Sequence, residues 1–180
     1  MSKKKIGQKI KNMNLIEFWS FLKIKNMISA IFSKNNTLLS KLIRWIASEP
    51  VSHIAIGLDN RLIFESNLYG THPKWLSSFL KKNEIVFQID FIFTLEKEED
   101  IYLKIPQYSD RRYDFGALFY MIYRGILYKL FKIPIPETNL FGKEDQFLCV
   151  ELAKLIDPSL ENLETITPYQ LYLKLKKKYG

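Results

Sequence analysis

Three side chains in this sequence have types that could act together on a carbonyl carbon: Cys149, His53 and Glu65. A thiolate is the strongest nucleophile that a side chain offers. A cysteine nucleophile needs a base, and histidine is the natural one. The base in turn needs a third polar group to fix its tautomer and ring orientation. Each residue alone has a plainer reading. A lone cysteine in the apolar run FLCVELAKL is a small buried hydrophobe, a lone histidine in a strand is structural, and a glutamate near a strand end is solvated. Cys149 follows Asp145, the expected cap of a helix over 145–156, where unpaired N–H groups and the helix dipole would favour the anion.

The elements around His53 and Glu65 decide whether the two can meet. VSHIAIGL (51–58) is β-rich and bounded by Pro50 and by Asp59-Asn60, which predicts a strand. RLIFES (61–66) reads as its hairpin partner. A three-residue loop of Leu58, Asp59 and Asn60 sets His53 directly opposite Glu65, on one face with Cβ atoms ~4.5–5.5 Å apart. A two-residue Asp59-Asn60 turn instead sets His53 opposite Ser66 and sends Glu65 to the other face. Asn60 tolerates the left-handed backbone that closes the longer loop. Both registers remain open at this level.

Elsewhere the periodicities predict an α+β chain. NLIEFWSFLK (14–23) has helical spacing, and Met27–Phe32 is open between a strand and a helix end. TLLSKLIRWIA (37–47) predicts an amphipathic helix with Leu38, Leu42, Trp45 and Ile46 on one side, ended by Pro50. Asn67–Pro73 reads as a loop and 74–80 as a helical turn or two. A strand over 84–95 is expected to put Ile85, Phe87, Ile89, Phe91, Phe93 and Leu95 on one face. A short helix over 97–105 should stop at Pro106, and 113–131 is a long apolar helix. Pro134, Pro136 and Gly142 mark an irregular crossing. The last helix, 167–178, is signalled by Thr167 as cap, Pro168 at its first position and Gln170 at its third.

The order SHIAIGL, a short turn, IFES, a loop containing YG and, much later, FLCVELAKLI resembles the circularly permuted branch of the NlpC/P60 papain-like superfamily. Its nearest relatives would be the permuted papain-like amidases of bacteria and phages. The resemblance covers about 27–175. It implies an α+β fold in which an antiparallel sheet packs against helices and the cysteine opens a helix. The family's histidine falls on His53, its polar third residue on Glu65 and its nucleophile on Cys149. Val150 stands where a serine is common, and Glu151 follows as in the family. RYDFGAL (112–118) resembles the family's Tyr-Asp element, and Thr167, Pro168 and Leu171 match a late T-P-x-x-L. Gly-Asp, frequent in relatives before the first strand, is absent. The implied activity is cysteine hydrolysis of an amide-type bond. Cys149 would attack, His53 would carry the proton and Glu65 would orient it. Backbone N–H groups near Cys149, with Tyr113 as a weaker candidate, would hold the oxyanion. The implied substrates are peptide, peptidoglycan or acyl-lipid, with no cofactor and no metal. The alternatives are a lipid acyltransferase or thioesterase of the same fold, or a non-catalytic virion or membrane-surface binding module.

Composition agrees with a globular chain of one catalytic domain. The sequence has 180 residues, 47% hydrophobic and 26% charged, which is far from the composition of disorder. A single cysteine and two histidines make disulfide frameworks and Cys-clustered metal sites untenable. Neither a GxGxxG nor a GxxxxGK[ST] run occurs. The charge is concentrated at one end. Residues 1–34 carry eight lysines against Glu17, a net +7 out of +8 for the whole chain. A basic leader over 1–26, partly helical, is therefore expected before a domain over 27–180. Its role is either solubility or contact with an anionic membrane surface. No specific nucleic-acid contact is expected. Glu17, Lys23 and Lys25 interrupt the apolar run near the start, so neither a secretory signal nor a membrane span is expected. The expectation is a cytoplasmic product, with virion association or another delivery route left open.

Overall fold

The computed structural model describes residues 28–58, 61–134 and 146–180. The expectations for the helix over 14–23, the basic leader, the Asp145 cap and most of the Pro134–Gly142 crossing lie outside those residues.

Apolar, β-branched segments pair into a five-stranded antiparallel sheet of order β4-β3-β2-β1-β5. Its strands are β1 (Ile28–Asn35), β2 (His53–Gly57), β3 (Leu62–Asn67), β4 (Gly70–Trp75) and β5 (Asn83–Phe91). Helices α1 (Leu38–Ala47), α2 (Leu76–Leu80), α3 (Leu95–Tyr108), α4 (Phe115–Phe131), α5 (Ala153–Ile156) and α6 (Pro168–Tyr179) surround it. A single 3-10 turn, Cys149–Leu152, leads into α5, and another spans Leu163–Thr165. The chain is thus α+β. Among the described residues no helix is long and apolar enough to cross a membrane.

Strand alternation creates two unequal cores. On one face Ile28, Ala30 and Phe32 of β1, Ile54 and Ile56 of β2 and Phe64 of β3 pack under α3–α6. On the other, Ile31, Ala55 and Ile63 pack against Phe79 of α2. β5 changes phase between them. The register slips between Phe32 and Ser33, so Phe87 lies opposite Phe32 whereas Ile85 lies opposite Ser33. The uninterrupted one-face alternation expected over 84–95 is therefore broken. Ile85 joins the smaller core, and the bulge is its cause.

Other expectations are corrected by packing. The α1 stripe of Leu38 and Trp45 is 84% and 52% exposed, while Leu39 and Ile43 face the core and Ser40 is buried. That helix ends at a left-handed Ser48, before Pro50 is reached. Residues 70–75 form a strand, where a loop to Pro73 and then a helical turn from Lys74 were expected. Pro73 is tolerated because β4 is a sheet edge, where its missing N–H faces no neighbour. Pro106 lies inside α3 and does not stop it. α6 starts as expected, with Thr167 Oγ1 accepting from Gln170 N and Gln170 Oε1 accepting from Thr167 N.

One close approach ties the sheet edge to the chain that leads toward Cys149. Gly70 has φ +103°, and a Cβ there would lie 2.7 Å from the Arg111 carbonyl oxygen. Thr71 N donates to that carbonyl at 2.9 Å, and Asp110 N donates to Thr71 O at 2.8 Å. Gly70→Ala meets both backbone strain and this carbonyl. It should cost about 1–3 kcal/mol of stability in urea unfolding; a change of only a few tenths would show that Arg111 moves aside without penalty.

Candidate active site

His53 opens β2, and Glu65 lies two residues before the end of β3. The ladder pairs Ala55 with Glu65, Ile56 with Phe64 and Gly57 with Ile63, and Leu58 N closes it on Leu62 O. Neither expected register is the observed one: Glu65 is displaced by two residues from the position facing His53. Two residues is one full side-chain period, so the face is unchanged and the pair becomes diagonal, still within reach of long side chains. His53 Nε2 lies 3.2 Å from Glu65 Oε2.

Glu65 is 2% exposed, so its charge must be compensated locally. Asn67 Nδ2 donates to Oε1 at 2.8 Å and Lys74 Nζ at 2.9 Å. His72 Nε2 stands 3.7 Å from the same oxygen. These three residues escaped sequence reasoning. The expected loop over Asn67–Pro73 and helical turn over 74–80 conceal the strand β4, whose alternation puts His72 and Lys74 on the Glu65 face. Burial by itself raises the Glu65 pKa, but the hydrogen bonds and charges of His53 and Lys74 outweigh it, and the value stands at about 2.

Cys149 does not sit in a long helix. Gln146–Phe147 form a short strand, β7, parallel to β6 (Arg112–Tyr113). Cys149 is then the first residue of the 3-10 turn. Glu151 Oε2 accepts from Leu148 N at 2.8 Å and closes that turn. Asp114 N and the Ser66 hydroxyl both donate to Phe147 O, at 3.3 and 3.0 Å. These bonds hold the cysteine segment against β3. A turn this short carries a small dipole, so helix electrostatics contribute less to a thiolate than the expected 145–156 helix would.

The thiol and the imidazole meet. Cys149 is 7% exposed, and its side chain lies close enough to His53 to raise the pKa of the ring. Burial pushes the His53 pKa down, but the hydrogen bonds to Cys149 and Glu65 and the charges of both outweigh it, leaving the value at about 9. The ring also lies 6.2 Å from that of Phe79, centroid to centroid. Tyr113 lines the same cavity as Cys149. Burial raises its phenol well above the ordinary value, with the charges of Cys149, Asp114 and Glu151 acting in the same direction, so it keeps its proton. Asp114 caps α4, its Oδ1 accepting from Ala117 N at 2.7 Å. The four residues singled out from sequence are thus brought to one neighbourhood.

Two titrations shape the expected stability profile. The folded His53 pKa of about 9 exceeds its ordinary 6.5. Its contribution is full below pH 6.5 and is lost as pH rises through about 9. The folded Glu65 pKa of about 2 lies below its ordinary 4.5. Its contribution is full above pH 4.5 and is lost as pH falls through about 2. His53→Gln should flatten the decline between pH 6.5 and 9 in urea unfolding. An alkaline slope identical to wild type would show that another group causes it.

Comparison of the chain with protein-family models, curated proteins and solved structures finds no match.

Proposed function

We propose that this protein is a cysteine hydrolase of amide-type bonds, built on a permuted papain-like fold, with Cys149 as nucleophile, His53 as proton carrier and Glu65 as the group that orients His53. The observation that carries the reading is the convergence of Cys149, His53 and Glu65 from β2, β3 and a 3-10 turn far along the chain, with His53 Nε2 3.2 Å from Glu65 Oε2 and Cys149 beside the ring.

Each part has a physical role. A His53 that favours its proton, set beside Cys149, is the base that a cysteine nucleophile needs. The sulfur attacks the carbonyl carbon. The imidazolium gives its proton to the leaving nitrogen, and neutral His53 then draws a proton from the water that cleaves the thioester. Glu65 holds His53 through Nε2, leaving the other ring nitrogen for the sulfur. Asn67 and Lys74 hold Glu65 Oε1 and so direct Oε2 to His53. The N–H groups of Cys149 and Val150 begin a helix and have no intrahelical acceptor. With the Tyr113 hydroxyl, they are the candidate oxyanion donors.

Cys149 should react with iodoacetamide in the folded protein. His53→Ala should slow that reaction markedly at neutral pH. Glu65→Gln should lower turnover more than labelling, because it disturbs the orientation of His53. Equal labelling of wild type and His53→Ala across pH 5–9 would sink the catalytic assignment. Turnover should decline as pH rises through about 9, where His53 loses its proton, while alkylation, which needs only the thiolate, should not. Parallel decline of the two would place the proton donor elsewhere.

A further inference from the structure

A cavity of about 560 Å³ opens beside Cys149, within the roughly 300–1,000 Å³ of small-molecule sites. Its walls include Ile43 and Ile46 of α1, Leu118, Met121 and Ile122 of α4, and Ile166 ahead of α6; Cys149 is part of the lining. α1 and α4 are brought close at one point of the lining, where a Cβ on Gly125 would lie 2.3 Å from Ile46 Cγ2.

Two hydroxyls in the lining bond to the protein itself. Ser52 Oγ is 2.6 Å from Ser40 Oγ, and Thr167 Oγ1 donates to Glu49 Oε1 at 2.8 Å. Glu49 Oε2 has no hydrogen-bond partner among the described residues. Burial raises the Glu49 carboxyl above its ordinary value, against the hydrogen bonds of Thr167 and the Tyr169 backbone, as expected of a low-dielectric wall. A peptide in this space would bring backbone N–H and C=O groups that need partners along its whole length, whereas the polar lining side chains, among them Gln170 and Lys174, leave a wall of Ile43, Ile46, Leu118, Met121, Ile122 and Ile166 that supplies none. A hydrocarbon chain brings none.

We propose that this cavity holds the aliphatic chain of an acyl substrate and presents its carbonyl to Cys149, so that the bond cleaved is a fatty-acyl amide. The proposal rests on the cysteine-hydrolase reading. The sulfur–carbon bond forms as the carbonyl carbon–nitrogen bond breaks, and the amine leaves with the proton from His53. Water then cleaves the thioester to give the fatty acid and restore the thiol.

Binding separates the chain site from the catalyst. Full-length Cys149→Ala protein is loaded with dansyl-undecanoic acid, and N-acylglycines from butanoyl to hexadecanoyl compete for it. Each added methylene should tighten competition about threefold to fourfold until the cavity is filled. Met121→Trp in the same background should weaken the long members about tenfold, equivalent to roughly two excluded methylenes, and leave butanoylglycine nearly unchanged. If Met121→Trp does not unfold cooperatively, Ile43→Phe replaces it with the same expectation. Competition independent of chain length, or long chains unaffected by a folded cavity-filling variant, would overturn the proposal. Hexadecanoylglycine should also slow iodoacetamide labelling of wild-type Cys149; undiminished labelling at saturation would place the chain elsewhere and overturn it. Chain-length-dependent binding with an inert Cys149 would instead remove the catalytic reading, and a reactive Cys149 without such binding would remove the acyl site alone.

Discussion

A buried carboxylate with compensated charge is the constraint on which this structure turns. Glu65 lies almost wholly out of water in β3, where an unpaired charge would cost several kcal/mol. The sheet solves this with partners from three strands: His53 from β2, Asn67 from β3 itself and Lys74 from β4. The two cations and the amide divide its two oxygens between them, so the carboxylate has one orientation. An ion held this tightly stabilises little by itself, because desolvation offsets most of the attraction. Its value lies in geometry: the imidazole on its free side has one place to be.

The nucleophile arrives by a different route. Cys149 reaches the site because backbone groups pin the segment before it. The Arg111 carbonyl bonds Thr71 beside Gly70, β6 runs from there parallel to β7, and Ser66 and Asp114 both bond the Phe147 carbonyl. None of these links uses a side chain of the Cys149–His53–Glu65 series, apart from the strand it shares. The cysteine is thereby placed by the scaffold, and its activation falls chiefly to His53, since one 3-10 turn followed by one α turn supplies little dipole.

The two sheet faces divide the labour. Glu65, His72 and Lys74 share a face with the small Ile31–Ala55–Ile63 cluster, whereas Cys149 belongs to the large apolar cluster under the helices. His53, first in β2, is where the polar face and the apolar cluster touch. A reactive group at such a boundary has charge compensation on one side and a largely apolar cavity on the other. Low dielectric strengthens the electrostatic coupling of the thiol and imidazole. It also selects against substrate groups that need solvation.

Local chemistry determined much of this from sequence. The strand around His53, its hairpin partner over 61–66, the cap Thr167 and the α+β class follow from alternation, turn residues and capping signals, all of which act over a few residues. The choice of Cys149, His53 and Glu65 followed from residue chemistry and chain order. Tertiary structure decided the rest. The hairpin closed on Leu58 and Leu62, and the pair survived only because a shift of two residues preserves the face. The bulge at Phe32/Ser33 turned Ile85 to the smaller core. The outward face of α1 and the strand at Pro73 were settled by which neighbours existed to cover them. The short turn at Cys149 and the compensation of Glu65 by Lys74 have the same origin. Periodicity states which residues share a side, but register, edge position and charge compensation are properties of pairs of segments, and a single segment does not contain them.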